Sequence, residues 1–219
     1  MIKNKRLLYI SFVFMVVSMA LNFPFPNASP YGEEMVSVLD RSVETVNGLN
    51  VVGLTSLGVL IAGLYFLVQS LGKYHARFVI LACLVSMLAP HYLANSFQKH
   101  FATGIYAISY KSDKGNCHFE MAKKTTLHAV CKLPLINYSQ KDVRFTVELR
   151  EKNGDNDIKK MFSLLNANAP YDVMLRAGES KSIKIERDID VSHIKNHLES
   201  GELTSVNIII KSGKKTRKL

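Results

Sequence analysis

The sequence predicts a membrane α-helical anchor of three transmembrane helices followed by an all-β sandwich. Two observations carry this. Three long apolar runs crowd the first hundred of 219 residues. From Gly104 onward the pattern changes to short alternating runs separated by turn signals. The boundaries that follow are an N-terminal helix or signal peptide over 1–25, an amphipathic segment over 26–48, a helical hairpin over 49–97, a β-domain over 104–210 and a basic tail over 211–219.

The first run is Leu7 to about Phe25, after "MIKNKR". It has two readings. A basic start, an apolar core from Leu7 to Val17 and Ser18-Met19-Ala20 as a small-x-small site make a signal peptide. Continuation of the apolar character through Leu21, Phe23 and Phe25 makes an uncleaved anchor, the favoured reading.

The second run, Leu49 to Leu71, and the third, Phe78 to Phe97, contain no Asp, Glu, Lys or Arg. Each is long enough to cross about 30 Å of hydrocarbon at about 1.5 Å per residue. Neither shows the polar face of a soluble helix. "GKYHAR" joins them as a tight hairpin, and Gly58-xxx-Ala62 and Ala82-xxx-Ser86 are small-residue pairs at which two helices can approach.

Basic residues in short loops set the orientation. Lys3, Lys5 and Arg6 precede run one, and Lys73 and Arg77 lie in the hairpin loop. The segment between runs one and two has Arg41 against Glu33, Glu34, Asp40 and Glu44. The expectation is a multi-pass cell-membrane protein, with a cytoplasmic N-terminus and an extracytoplasmic C-terminal domain. Cleavage after Ala20 would leave that orientation unchanged. In "FQKHFATGIY", Lys99, His100, Phe101 and Tyr106 then fall at the outer interface. In the outer loop, Met35, Val36, Leu39, Val43 and Val46 recur every three or four residues, which predicts an amphipathic helix ending at Gly48.

Candidate strands beyond Gly104 are "GIYAISY", "CHFEMA", "TLHAVCKLPLI", "VRFTVELRE", "KKMFSLL", "YDVMLRA", "SIKIERDI" and "SVNIIIKS". "DVSHIKNHLES" reads as a short helix capped by Asp190 or Ser192. So many short strands in about 110 residues argue for a sandwich. Asn137, Ser139, Phe145, Val147, Leu149, Gly154, Gly178, Glu179 and Ser180 give a strand ending in Asn-x-Ser, an alternating strand closing on a Gly turn, and a Gly-Glu-Ser turn. Over about fifty residues this resembles immunoglobulin-like bacterial extracytoplasmic domains, including the FxLYD type. Leu149-Arg150-Glu151 stands where that motif has Leu-Tyr-Asp. The resemblance implies an immunoglobulin-like fold; it implies no activity.

The stretch "NCHFEMAKKTTLHAVCK" poses the sharpest chemical question. As a hairpin turning within Ala122–Thr126, it pairs Cys117 with Cys131, Phe119 with Ala129 and Met121 with Leu127 on one apolar face. Opposed α-carbons about 4.5–5.5 Å apart suit a disulfide. The alternative is a zinc site from Cys117, His118, His128 and Cys131. It requires convergence, yet Cys117 and His118 point to opposite faces, as do His128 and Cys131. A free buried thiol pair is the third reading. The disulfide also agrees with an external location.

No metalloprotease, nucleophile-elbow, P-loop or dinucleotide motif is present. "GESKS" lacks the final Gly of the nucleophile elbow. His193 and His197 share a helical face without a third ligand, and Asp155 and Asp157 sit in a polar turn. The spans lack carboxylates for an ion path, and His91 lies near one end. No cofactor or metal is expected.

The net charge is +10, and five of the positive charges, Lys211, Lys214, Lys215, Arg217 and Lys218, lie in "KSGKKTRKL". This reads as a flexible tail contacting anionic headgroups or envelope polymers, not nucleic acid. The functional expectation is a non-enzymatic membrane protein presenting its C-terminal domain to a protein or envelope polymer. The two bare spans suggest a subunit of a membrane complex. The alternatives are an envelope enzyme with a site between the sandwich and residues 31–47, and a transporter accessory subunit. In a eukaryotic source, Asn137-Tyr138-Ser139 would be a glycosylation candidate.

Overall fold

The computed structural model describes residues 2–38, 50–150, 162–192 and 200–219. The chain divides into two units, a helical one through Ser96 and a β-rich one from Phe97.

Among the described residues four helices form the first part of the chain: α1 Lys5–Leu21, α2 Tyr31–Val38, α3 Val51–Ser70 and α4 His75–His100, whose last turn belongs to the second unit. Asn4 starts α1, its side chain accepting from the backbone N–H groups of Arg6 and Leu7 at 3.0 and 3.4 Å. Asn50 does the same for α3 through Gly53 N–H at 2.9 Å. Pro24 and Pro26 lie just past α1 and cannot continue it.

Among the described residues two helices, α3 and α4, are long and apolar enough to cross a membrane. The expectation of three is corrected here. At 17 residues, α1 measures about 25 Å, short of the roughly 30 Å hydrocarbon thickness. The predicted run ended at Phe25, but the prolines stop the helix at Leu21.

The tight approach expected from Gly58 and Ala62 also falls elsewhere. A Cβ on Gly58 would meet nothing within 4 Å. Instead α3 packs along α1 through small residues seven apart: Ser56, Gly63 and Ser70 on α3, Ser11 and Ser18 on α1, all buried. A Cβ on Gly63 would lie 3.1 Å from Phe14 Cβ and 3.4 Å from the Ser11 carbonyl. The two helices are antiparallel. Ser18 meets Ser56, while at the other end Lys3 N–H and Asn4 N–H bond the Ser70 carbonyl at 2.7 and 3.1 Å. Leu67, Leu71 and Ala82 form a small core with Leu8, Met15, Leu64 and Phe78. Large apolar side chains of α3 and α4, among them Ile61, Met87 and Leu93, are exposed.

The segment after α1 is tied down. Tyr31 N–H bonds the Phe23 carbonyl at 3.0 Å, Asn27 bonds Glu34, and Asn50 Nδ2 donates to Glu33 at 2.6 Å. Only the start of the predicted amphipathic helix, with Met35 and Val36, falls on α2. Its expected continuation through Leu39, Val43 and Val46 lies outside the described residues.

Among the described residues the second unit holds nine strands: β1 Ile108–Tyr110, β2 Asn116–Lys123, β3 Thr126–Asn137, β4 Val143–Arg150, β5 Tyr171–Leu175, β6 Ser180–Asp190, β7 Ser200–Thr204, β8 Asn207–Ser212 and β9 Lys215–Lys218. They form two antiparallel sheets. In the first, β6 lines one edge of β3 along nearly its full length, β2 and then β1 line the other, and β7 pairs with β2. The second runs β5-β4-β8-β9. Strict alternation in β3 and β4 sends every second side chain inward. Phe119, Leu127, Leu133 and Leu135 from one sheet share a core with Phe145, Val147, Leu175 and Ile210 from the other.

Two strand expectations are corrected. "GIYAISY" is a 3-10 turn over Gly104–Ala107 with only three strand residues after it. In "KKMFSLL", Phe162–Leu165 is helical, and its buried residues, Phe162 and Leu165, are three apart. Asn166 in the following turn takes a strand's place, exchanging two hydrogen bonds with the Leu149 backbone at 3.0 and 2.6 Å.

Candidate functional site

The cysteine hairpin adopts the predicted register. Cys117 stands opposite Cys131, Phe119 opposite Ala129 and Met121 opposite Leu127. Cys117 and Cys131 form a disulfide and are fully buried in the core. The hairpin thus sorts its chemistry by side, with sulfur inside and both histidines outside. The zinc reading fails on that geometry. Among the described residues no group of three or more His, Cys, Asp or Glu is arranged to hold a metal ion.

The outer face of the first sheet carries an ionic cluster. His128 Nδ1 lies 2.6 Å from Asp188 Oδ1, and Nε2 lies 3.2 Å from Glu186 Oε1. The register explains this, since His128 faces Asp188 across β3–β6 and Glu120 across β2–β3. Glu186 also pairs with Lys184, and His118 sits 3.9 Å from Glu120. The hydrogen bond to Asp188 raises the His128 pKa above its ordinary value, while Lys184 lowers that of Glu186. The cluster is open to solvent.

The expected basic tail is not a tail. Residues 207–218 form the β8–β9 hairpin, turning at Gly213 with φ +56°, and the Leu219 backbone closes it onto Ile208 at 2.7 and 2.8 Å. The five expected anion contacts therefore divide. Lys211 Nζ pairs with Glu148 at 2.6 Å. Lys215 lies over the Tyr106 ring at 5.5 Å. Lys214 and Lys218 are exposed. Arg217 turns inward, only 4% exposed, opposite Ile210. Its guanidinium donates to the carbonyls of Ile105, Tyr106 and Ile108, and burial pulls its pKa down to about 10. Gln98 donates to two of the same carbonyls, Tyr106 and Ile108, at 3.2 and 2.8 Å. Composition pointed to a solvated tail; the alternation of Ile208, Ile210, Arg217 and Leu219 was the missed signal.

Asn137 is fully buried. Its Nδ2 donates to the carbonyls of Lys141, Leu175 and Arg176, and its Oδ1 accepts from Ser139 N–H and Oγ–H. Gly178, with φ +67°, donates to the Ser139 carbonyl at 3.1 Å, and Asn137 N–H bonds the Glu179 carbonyl at 2.9 Å. Asn-x-Ser and Gly-Glu-Ser thus meet at one structural corner joining the β3–β4 and β5–β6 turns. An amide with three internal acceptors is no glycosylation acceptor in the folded chain, which corrects that candidate. Gly154, Asp155, Asp157, His193 and His197 lie outside the described residues, as do positions 39–47 of the site expected for an enzyme. No protein-family model, curated protein or solved structure matches the chain.

Proposed function

We propose that this is a non-enzymatic integral membrane protein. It displays an immunoglobulin-like domain on the extracytoplasmic side for binding a partner protein or an anionic envelope polymer. The observation that carries the reading is the Cys117–Cys131 disulfide, in the domain that directly follows two apolar helices. Disulfides form and persist in oxidising compartments. The charge pattern of the helical unit supports the same orientation. Lys3 and Asn4 are bonded to Ser70, so the basic residues before α1 and those of the α3–α4 connection share one end. Glu33 and Glu34 lie at the other, held by Asn50 and Asn27. Basic ends face the cytoplasm. The His128–Asp188–Glu186 face and the exposed lysines of the β8–β9 hairpin offer ionic contacts of both signs.

Single reporter cysteines in a Cys83→Ala background test the topology. Lys141→Cys, exposed in the β-domain, is expected to react with an impermeant maleimide in intact cells. Lys73→Cys is expected to react only after lysis. The reverse pattern would place the β-domain in the cytoplasm and overturn the reading. Crosslinking in native membranes is expected to recover a heterologous partner, and recovery of monomer alone would count against binding.

A further inference from the structure

We infer that the basic end of the helical unit is a binding site for an anionic phospholipid, an assignment that rests on the membrane reading above. The bonds from Lys3 and Asn4 to Ser70, and the pairing of Ile2 with Leu71, gather Lys3, Lys5, Arg6, Lys73 and Arg77 at one end. All five are exposed. Among the described residues, the acidic side chains of this unit are Glu33 and Glu34, engaged at the opposite end. Five positive charges therefore share an end that has no described carboxylate.

An apolar groove lies beside them, lined by Tyr74, Arg77, Phe78 and Leu81. The Arg77 guanidinium sits over the Tyr74 ring, 5.3 Å from its centroid. Tyr74 holds a φ of 65°, uncommon for a bulky residue, and α4 begins at the next position. A phosphodiester needs forked donors and neighbouring positive charge, which Arg77, Lys73 and Lys3 supply. An acyl chain needs an apolar track leading away from those charges, which Phe78 and Leu81 supply. Free phosphate uses only the first half of this arrangement. A phospholipid uses both.

The test is native mass spectrometry of the purified full chain with equal amounts of phosphatidylglycerol and phosphatidylcholine. Phosphatidylglycerol adducts are expected to dominate. Lys73→Gln/Arg77→Gln should lower that preference roughly tenfold. Lys141→Gln/Lys114→Gln, which removes the same charge from two exposed positions of the β-domain, should leave it unchanged. Equal binding of the two lipids by the unaltered chain, or an unchanged preference in the Lys73/Arg77 variant, overturns the site. Displacement of the lipid by millimolar inorganic phosphate overturns it in favour of a free-anion site. Carbonate extraction from phosphatidylcholine vesicles separates this from the underlying reading. A chain that resists extraction but shows no preference refutes the site alone; a chain that is extracted refutes the membrane reading and the site with it.

Discussion

Ser18 of α1 donates its hydroxyl to the carbonyl oxygen of Ser56 on α3, 3.0 Å away and 38 positions later. Ser56 in turn donates to Gly53 within its own helix, at 3.0 Å. This bond lies on the small-residue seam, where a Cβ on Gly63 would come within 3.1 Å of Phe14. Gly63→Leu should force α1 and α3 apart, with overpacking of this kind costing about 1–3 kcal/mol. Gly58→Leu, facing open space, should be tolerated. Thermal denaturation in detergent followed by far-ultraviolet circular dichroism compares them, and equal losses would refute the seam.

Arg217→Met should leave the carbonyls of Ile105, Tyr106 and Ile108 without its guanidinium. Each carbonyl keeps another donor, Gln98 or the Ile108 N–H, so the loss is that of hydrogen bonds from a charged group, about 1.5–3 kcal/mol. Arg217→Lys should recover only part of that loss, because an ammonium lacks the planar fork. If Lys214→Met in the same hairpin destabilises the protein as much, Arg217 has no special role.

Cys117→Ala/Cys131→Ala should lower the stability of the β-domain by about 3 kcal/mol, the chain-entropy value for a loop of this size. The cysteines are 14 positions apart. Reducing agent should shift the unaltered protein toward the double variant and leave the variant unchanged. A reductant effect of the same size in both would disprove the assignment.

Asn137→Ala removes the acceptor of Ser139 and the donor of three carbonyls, and should cost about 2–4 kcal/mol in denaturant titration. Asn137→Asp keeps the acceptor, loses the donors and should not rescue it. When the chain is produced in a glycosylating host, endoglycosidase treatment should leave its mobility at this site unchanged.

The His128 pKa is raised by its hydrogen bond to Asp188, then by the charges of Asp188 and Glu186. A raised value means that the folded state holds the proton more tightly than the unfolded one. The contribution is therefore complete below the unfolded value of about 6.5, and is lost as pH rises through the folded value. Glu186, lowered chiefly by Lys184, contributes in the opposite sense. Its share is present above the ordinary carboxylate value and disappears on acidification through the folded one. Melting temperature should fall as pH rises above about 6.5 in the unaltered protein, and less so in His128→Asn.

Patterns repeated along the chain were the legible part. The charge-free runs marked α3 and α4, and period-two alternation marked β2, β3 and β4 with the correct Cys117–Cys131 register. Features that depend on distant neighbours were not legible. Nothing local distinguishes Gly63, which faces Phe14, from Gly58, which faces open space. Strand β7 is only Ser-Gly-Glu-Leu-Thr and gains its place by pairing with β2. "KSGKKTRKL" reads as solvated by its charge, while its alternation is that of a strand pair. The buried arginine is explained by carbonyls 109 to 112 positions upstream. Gly115 is similar: a Cβ there would strike the Tyr110 hydroxyl, which donates to the Val206 carbonyl at 2.6 Å.

The antiparallel pairing of α1 with α3 bears on the fate of the N-terminus. A peptidase cutting after Ala20 would carry away nearly all of α1. Ser56 and Gly63 would then lose the helix that covers them, and the Ser70 carbonyl would lose the Lys3 and Asn4 amides that bond it. The first twenty residues, which resemble a disposable leader, are thus packed as a structural partner of α3, and cutting after Ala20 would uncover its small-residue seam.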